Sequence, residues 1–138
     1  MATYLADKSA LVRVGLEGAG WLAAEIMEGN VRRSSMTDLE LFYSATSYQA
    51  LLQIIEERQA GFRPVDTRQA DWDRAVEVMV LLAEKGKHRS VGIADLLIAA
   101  VAERHELTLV HYDSDFDHVS EVTGQTTRWL APRGRGTW

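Results

Sequence analysis

The stretch Ile93-Ala94-Asp95-Leu96-Leu97-Ile98-Ala99-Ala100-Val101-Ala102-Glu103-Arg104-His105-Glu106-Leu107-Thr108-Leu109-Val110 decides the fold. Wound as a helix, Ile93–Glu103 is apolar almost all round, which suits an element buried on every side. Leu107–Val110 is too short for a helix and carries the β-branched Thr108 and Val110, so it reads as a buried strand. A buried helix feeding a buried strand is half of a β-α-β crossover and points to a parallel sheet.

Working outward, the same alternation recurs. Thr3–Ala6, Asn30–Ser35, Phe62–Val65 and Thr126–Leu130 read as further strands. Ser9–Val14 and Trp21–Met27 have helical spacing, separated by the glycine-rich Gly15–Gly20. A long helical region runs from Leu39 into Tyr48–Arg58 and is closed by Gly61. Asp71–Glu84 is amphipathic, with Trp72, Ala75, Val76, Met79, Val80 and Ala83 on one stripe, and Gly86 ends it. The pattern predicts an α/β fold with a mostly parallel central sheet flanked by helices. With no repeat or boundary, residues 1–131 are expected to form one domain and 132–138 a flexible tail.

Composition excludes several function classes. The 138 residues include 46% hydrophobic side chains, enough for a core, and no cysteine, which removes disulfides, thiolate metal sites and cysteine nucleophiles together. Fifteen Lys and Arg against twenty Asp and Glu give a net charge of −5, so binding to nucleic acid by overall charge is disfavoured. No apolar run approaches the ~20 residues of a membrane span. Met1-Ala2-Thr3-Tyr4-Leu5-Ala6-Asp7 lacks the basic start of a signal peptide, so a cytoplasmic protein is expected.

Four acids fall at strand ends or early in helices: Asp7, Glu40, Asp95 and Asp113. In an open parallel sheet, the carboxyl ends of the strands and the adjacent helix starts form one rim, where ligands bind. Carboxylates gathered there would suit a hard cation, Mg²⁺ or Mn²⁺, rather than zinc. Such a site can activate water and stabilise the charge of a phosphodiester displacement. Each acid also has a local explanation. Thr37-Asp38-Leu39-Glu40 matches a capping box, Asp7 an N-cap, Asp95 a favourable helix-start charge, and Asp113-Ser114-Asp115 a turn. The residues alone leave both readings open.

The surrounding residues resemble those of the PIN-domain ribonucleases, most closely the toxins of VapBC-type toxin–antitoxin pairs. The matching stretches are Tyr4-Leu5-Ala6-Asp7-Lys8-Ser9-Ala10-Leu11, Thr37-Asp38-Leu39-Glu40-Leu41, Gly92-Ile93-Ala94-Asp95-Leu96-Leu97-Ile98-Ala99-Ala100 and Leu109-Val110-His111-Tyr112-Asp113-Ser114-Asp115-Phe116. They stand in the family's order and cover nearly the whole chain. The resemblance implies a PIN-like fold and a divalent-metal-dependent endoribonuclease with Asp7, Glu40, Asp95 and Asp113 as catalytic and metal-binding acids. Asp115 would be an auxiliary ligand or orienter, and Ser9 a hydroxyl bonded to a ligand carboxylate. It also implies an RNA substrate, a homodimer and a VapB-type antitoxin. Lys8 stands where the family commonly has Thr or Ser, and His111 where Thr is common before the last acid. Arg13, Arg32, Arg33, Lys87 and Arg89 are candidate phosphate contacts.

Two rivals can be weighed on the sequence. A PIN-like module that binds RNA or protein without strong catalysis would be expected to have lost an acid, and all four are present. A phosphoacceptor receiver domain needs an acid pair near its first strand and a late lysine. Leu5 and Ala6 precede Asp7, and no lysine follows Lys87.

Overall fold

The computed structural model describes residues 3–133. Five strands form one sheet: β1 (Tyr4–Ala6), β2 (Val31–Arg33), β3 (Arg63–Pro64), β4 (Thr108–His111) and β5 (Thr127–Trp129). Every pairing is parallel and the spatial order is β3-β2-β1-β4-β5. The chain therefore builds outward from β1 to β3, returns, and lays β4 on the other side of β1. The β1/β4 seam is a topological switch point, where a crevice opens at the strands' carboxyl ends. Tyr4, Leu5 and Ala6 pair with Thr108, Leu109 and Val110 across it.

Alternation along the strands divides the core between the two faces. Leu5 and Leu109 pack on one face with Val78, Leu82, Leu97, Val101 and Phe116. Tyr4, Ala6 and Val110 pack on the other with Ala10, Leu22, Val31 and Leu130. Seven helices cover the sheet: α1 (Lys8–Leu11), α2 (Gly20–Met27), α3 (Ser35–Tyr43), α4 (Tyr48–Gly61), α5 (Gln69–Glu84), α6 (Ile93–Arg104) and α7 (Asp115–Thr123). From Leu96 to Ala102 every residue of α6 is buried, as its all-round apolar sequence requires.

Four expectations need correction. The helix expected over Ser9–Val14 stops at Leu11, and the turns that follow carry the chain to α2. The long helical region is two helices, because Ser47 caps a new start: its side chain accepts from the Ala50 N–H. The buried stripe of α5 is rotated from the expected one. Ala75, Val78 and Leu82 face the core, while Trp72, Val76 and Val80 stay 44%, 62% and 54% exposed. Finally, α7 occupies a stretch given no element beyond the turn at Asp113–Asp115, and it ends at Gly124 with φ of 72°, a left-handed value that glycine adopts without strain. The tail expected from residue 132 lies, from 134 onward, outside the described residues.

Candidate active site

The acids assemble at the β1/β4 crevice. Asp7 follows β1 directly, and its backbone N–H continues the ladder to the Val110 carbonyl at 2.9 Å. It is also the N-cap of α1, so a capping role and a place at the crevice are compatible. Its Oδ2 accepts from the Ser9 N–H at 3.0 Å and the Ser9 hydroxyl at 2.7 Å. That hydroxyl accepts in turn from the Tyr112 N–H at 2.9 Å, tying the end of β1 to the end of β4. Ser9 thus holds the Asp7 carboxylate.

Glu40 is not part of a cap. The N-cap of α3 is Ser34, whose hydroxyl accepts from the Thr37 N–H. Thr37 is therefore inside the helix, and Glu40, one turn further on, is free to face the acids. Its Oε1 is buried and has no hydrogen-bond partner among the described residues. Asp95 occupies the first turn of α6 behind the N-cap Gly92. Asp113 and Asp115 bracket the start of α7, the Asp115 N–H donating to Asp113 Oδ1 at 3.0 Å.

Asp95, Asp113 and Asp115 each offer a carboxylate oxygen within 4.8 Å of the others. Asp115, expected in a supporting role, therefore belongs to the tightest set. Asp7 and Glu40 lie outside that set and reach it through their charge. Asp95 is pushed up to about 7, first by burial and then by the charges of Asp7, Asp113, Glu40 and Asp115. Burial and Asp7 raise Glu40, against the opposing charge of Lys8. Burial and Asp113 raise Asp115. Among the described residues none of the five acids is in an ion pair. Nearby carboxylates offset only in part, by Lys8 beside Glu40, with Asp95 pushed up to about 7, form a donor set that fits a hard divalent ion.

His111 lies beneath the cluster, fully buried. Its Nδ1 accepts from the Asp113 N–H at 3.3 Å, which leaves the ring proton on Nε2, a buried atom without a conventional partner. The ring meets Trp129 edge-on at 5.0 Å and Phe116 at 5.1 Å. Burial pushes its pKa down, so the ring is a neutral packing and orienting group under Asp113.

The cationic candidates scatter. Arg13 donates to the Ser9 carbonyl at 2.9 Å and lies over the Tyr112 ring, near the site. Arg33 is bound to Asp38 at 2.7 Å, and Asp38 also holds the buried Arg58. Arg32 bonds the Gly29 carbonyl and lines a cavity with Thr3, at the opposite ends of the strands from the acids. Lys87 is 3.8 Å from Glu121 on α7. Arg89 is exposed in the turn that leads into α6.

The sheet order, the switch-point acids and the α6 motif have a counterpart among known proteins. The PIN domain matches residues 4–122, and the chain belongs to the PIN-domain family. Ribonuclease VapC21 of Mycobacterium tuberculosis is 39% identical over 132 residues, covering 95% of this chain and 96% of its own. Ribonuclease VapC2 of the same species is 40% identical over 134 residues, with 94% of each chain covered. The fold is also that of the DNA-bound VapBC structure from Salmonella typhimurium, with a TM-score of 0.75 at 18% identity. That likeness covers 95% of this chain and all of the other. VapBC-1 of nontypeable Haemophilus influenzae gives 0.73 at 15% identity, over 93% of this chain and 98% of the other.

Proposed function

We propose that this chain is a divalent-metal-dependent endoribonuclease, the toxin of a toxin–antitoxin pair acting in the cytoplasm. The observation that carries the reading is the convergence of Asp95, Asp113 and Asp115 within 4.8 Å at the sheet's switch point. Relatives named ribonucleases, alike over nearly their whole length, supply the reaction class. Asp7, Glu40, Asp95 and Asp113 are the catalytic acids in this reading, with Asp115 as a further ligand. Together they would hold Mg²⁺ or Mn²⁺, which when bound supplies charge neutralisation and water activation for phosphodiester hydrolysis. Asp95, pushed up to about 7, would give up its remaining proton on binding a cation. Ser9 fixes Asp7, and His111 orients the Asp113 backbone. Arg13, Lys87 and Arg89 are the candidate phosphate contacts. A VapB-type antitoxin and a second copy of the chain are the partners. The exposed Trp72–Val76–Val80 stripe on α5 is an apolar surface that a second copy could cover.

Two measurements test this reading. Purified protein should cut RNA with Mg²⁺ or Mn²⁺ and stop in EDTA. Undiminished cutting in EDTA by a nuclease-free preparation overturns the metal mechanism. Mn²⁺ at a hundredfold excess over its dissociation constant adds about 2.7 kcal/mol to stability, a rise of ~3–6 °C in Tm for a domain of this size. Wild type should show that rise and Asp95→Asn or Asp113→Asn should lose most of it. An equal gain in all three would mean that these acids do not form one metal site.

A further inference from the structure

Lys8 had no assigned role in the sequence, yet it stands between two chemically distinct surfaces. It follows Asp7 directly and opens α1. With Leu39, Glu40 and Tyr43 it lines a shallow cavity of about 310 Å³. Leu39 and Tyr43 are one helical turn apart on α3, so they share a ridge. They are 62% and 92% exposed, whereas the Glu40 Oε1 between them is buried and unpartnered. The cavity is thus an apolar and aromatic shelf with a site carboxylate at its back and a cation at its side. Lys8 makes no ion pair among the described residues, so its ammonium is available to an incoming anion.

We infer that this shelf is a nucleotide subsite, in which Lys8 binds a backbone phosphate of single-stranded RNA and Tyr43 stacks on the adjoining base. The inference rests on the nuclease reading and extends it to substrate positioning. A phosphate held at the acids puts its neighbouring nucleotide within one residue's reach of the cavity, because Glu40 belongs to both. Every base offers a π-face to a phenol ring, so the subsite accepts any sequence. A net charge of −5 makes a local cation beside the acids more valuable, since the protein as a whole repels RNA.

The test is steady-state cleavage of a single-stranded RNA oligonucleotide in Mg²⁺, over a range of salt, by the full-length chain. Tyr43→Ala, at an exposed position, should keep its fold and raise KM by about 5- to 150-fold, the range expected for losing one base stack. Tyr43→Phe should restore it. Lys8→Met should raise KM several-fold and reduce the log–log salt slope by about 0.7, the change for one phosphate contact on a single strand. Lys8→Arg should keep both, and kcat should stay within about twofold in the two Tyr43 variants. Unchanged KM in Lys8→Met and Tyr43→Ala overturns the subsite while leaving the nuclease reading intact. Unchanged KM together with lost neutralisation by a co-expressed antitoxin overturns it too, and assigns the shelf to a protein. A wild type that cuts no RNA removes the nuclease reading and the subsite with it.

Discussion

At the scale of the residue, Asp95 sets how the metal-free protein responds to pH. Its carboxyl titrates at 3.8 in an unperturbed chain and at about 7 in the fold. The unfolded chain therefore releases this proton first, and stability falls as pH rises from about 4 to about 7, then levels off. A rise from 3.8 to about 7 caps the loss at roughly 4 kcal/mol, and partial solvent screening brings it nearer ~2 kcal/mol. Glu40 and Asp115 are raised as well and add in the same direction. In EDTA, Asp95→Asn should melt above wild type at pH 8 and close to it at pH 4, as thermal denaturation at the two pH values will report. A variant that melts below wild type at pH 8 would mean that Asp95 is a structural capping charge, with no repulsion to relieve.

At the scale of the element, an ion network joins the start of α5 to the end of α6. Asp71 is 1% exposed. Its two oxygens accept from Arg104 Nε at 2.7 Å and Nη2 at 3.0 Å, and its Oδ2 also accepts from the Arg68 N–H. Burial alone would raise Asp71, but these bonds bring it below the usual carboxylate value. Its contribution is therefore complete above about pH 4 and is lost as pH falls through its lowered pKa. Asp71→Ala should cost about 1–2 kcal/mol at neutral pH, a few degrees in Tm, because the Arg68 N–H at the start of α5 loses its acceptor while Arg104 keeps Asp66. Arg104 is nine residues from Asp95 along α6, about 14 Å away, so cleavage per folded molecule should not change. Reduced turnover by fully folded Asp71→Ala would show that the two ends of α6 are coupled. Elements were also where the sequence was unevenly legible. The all-apolar α6 and the buried strands announced themselves through composition. The face of α5 did not, because Trp72, Val76 and Val80 make as good a stripe as Ala75, Val78 and Leu82, and only packing against α6 and α7 decides between them. α7 was hidden because its polar start, Asp115-Phe116-Asp117-His118, looks like a turn until Phe116 and Val119 find the core.

At the scale of the whole molecule, the site follows from topology. Strand alternation predicted a parallel sheet. The strand order, which makes β1 and β4 neighbours, came only with the tertiary structure. Asp7 and Asp113 are distant in sequence and meet because those two strands pair. Asp95 meets them because α6 leads into β4. The family motifs pointed to acids that the fold gathers around the β1/β4 crevice, while local spacing wrongly tied Glu40 to Thr37, since the Ser34 cap lies three residues earlier. The phosphate contacts were the least legible: an arginine's partner depends on contacts such as Arg33 with Asp38 that no local pattern reveals.

The Ser9 hydroxyl between Asp7 and the Tyr112 amide links the catalytic crevice to the timing of backbone motion. The Tyr112 N–H is protected by a side chain on α1 instead of by a neighbouring strand. Its exchange requires that bond to open, and the Ser9 hydroxyl that accepts it is the same one that holds Asp7. The exchange rate of this single amide is therefore a clock for opening of the acidic crevice. Ser9→Ala should speed it by about 5- to 10-fold, the equivalent of one ordinary hydrogen bond, while the Leu109 amide, bonded to the Thr126 carbonyl, keeps its pace. Amide exchange followed by NMR resolves both positions. If the two amides quicken together, the crevice opens only when the whole sheet does.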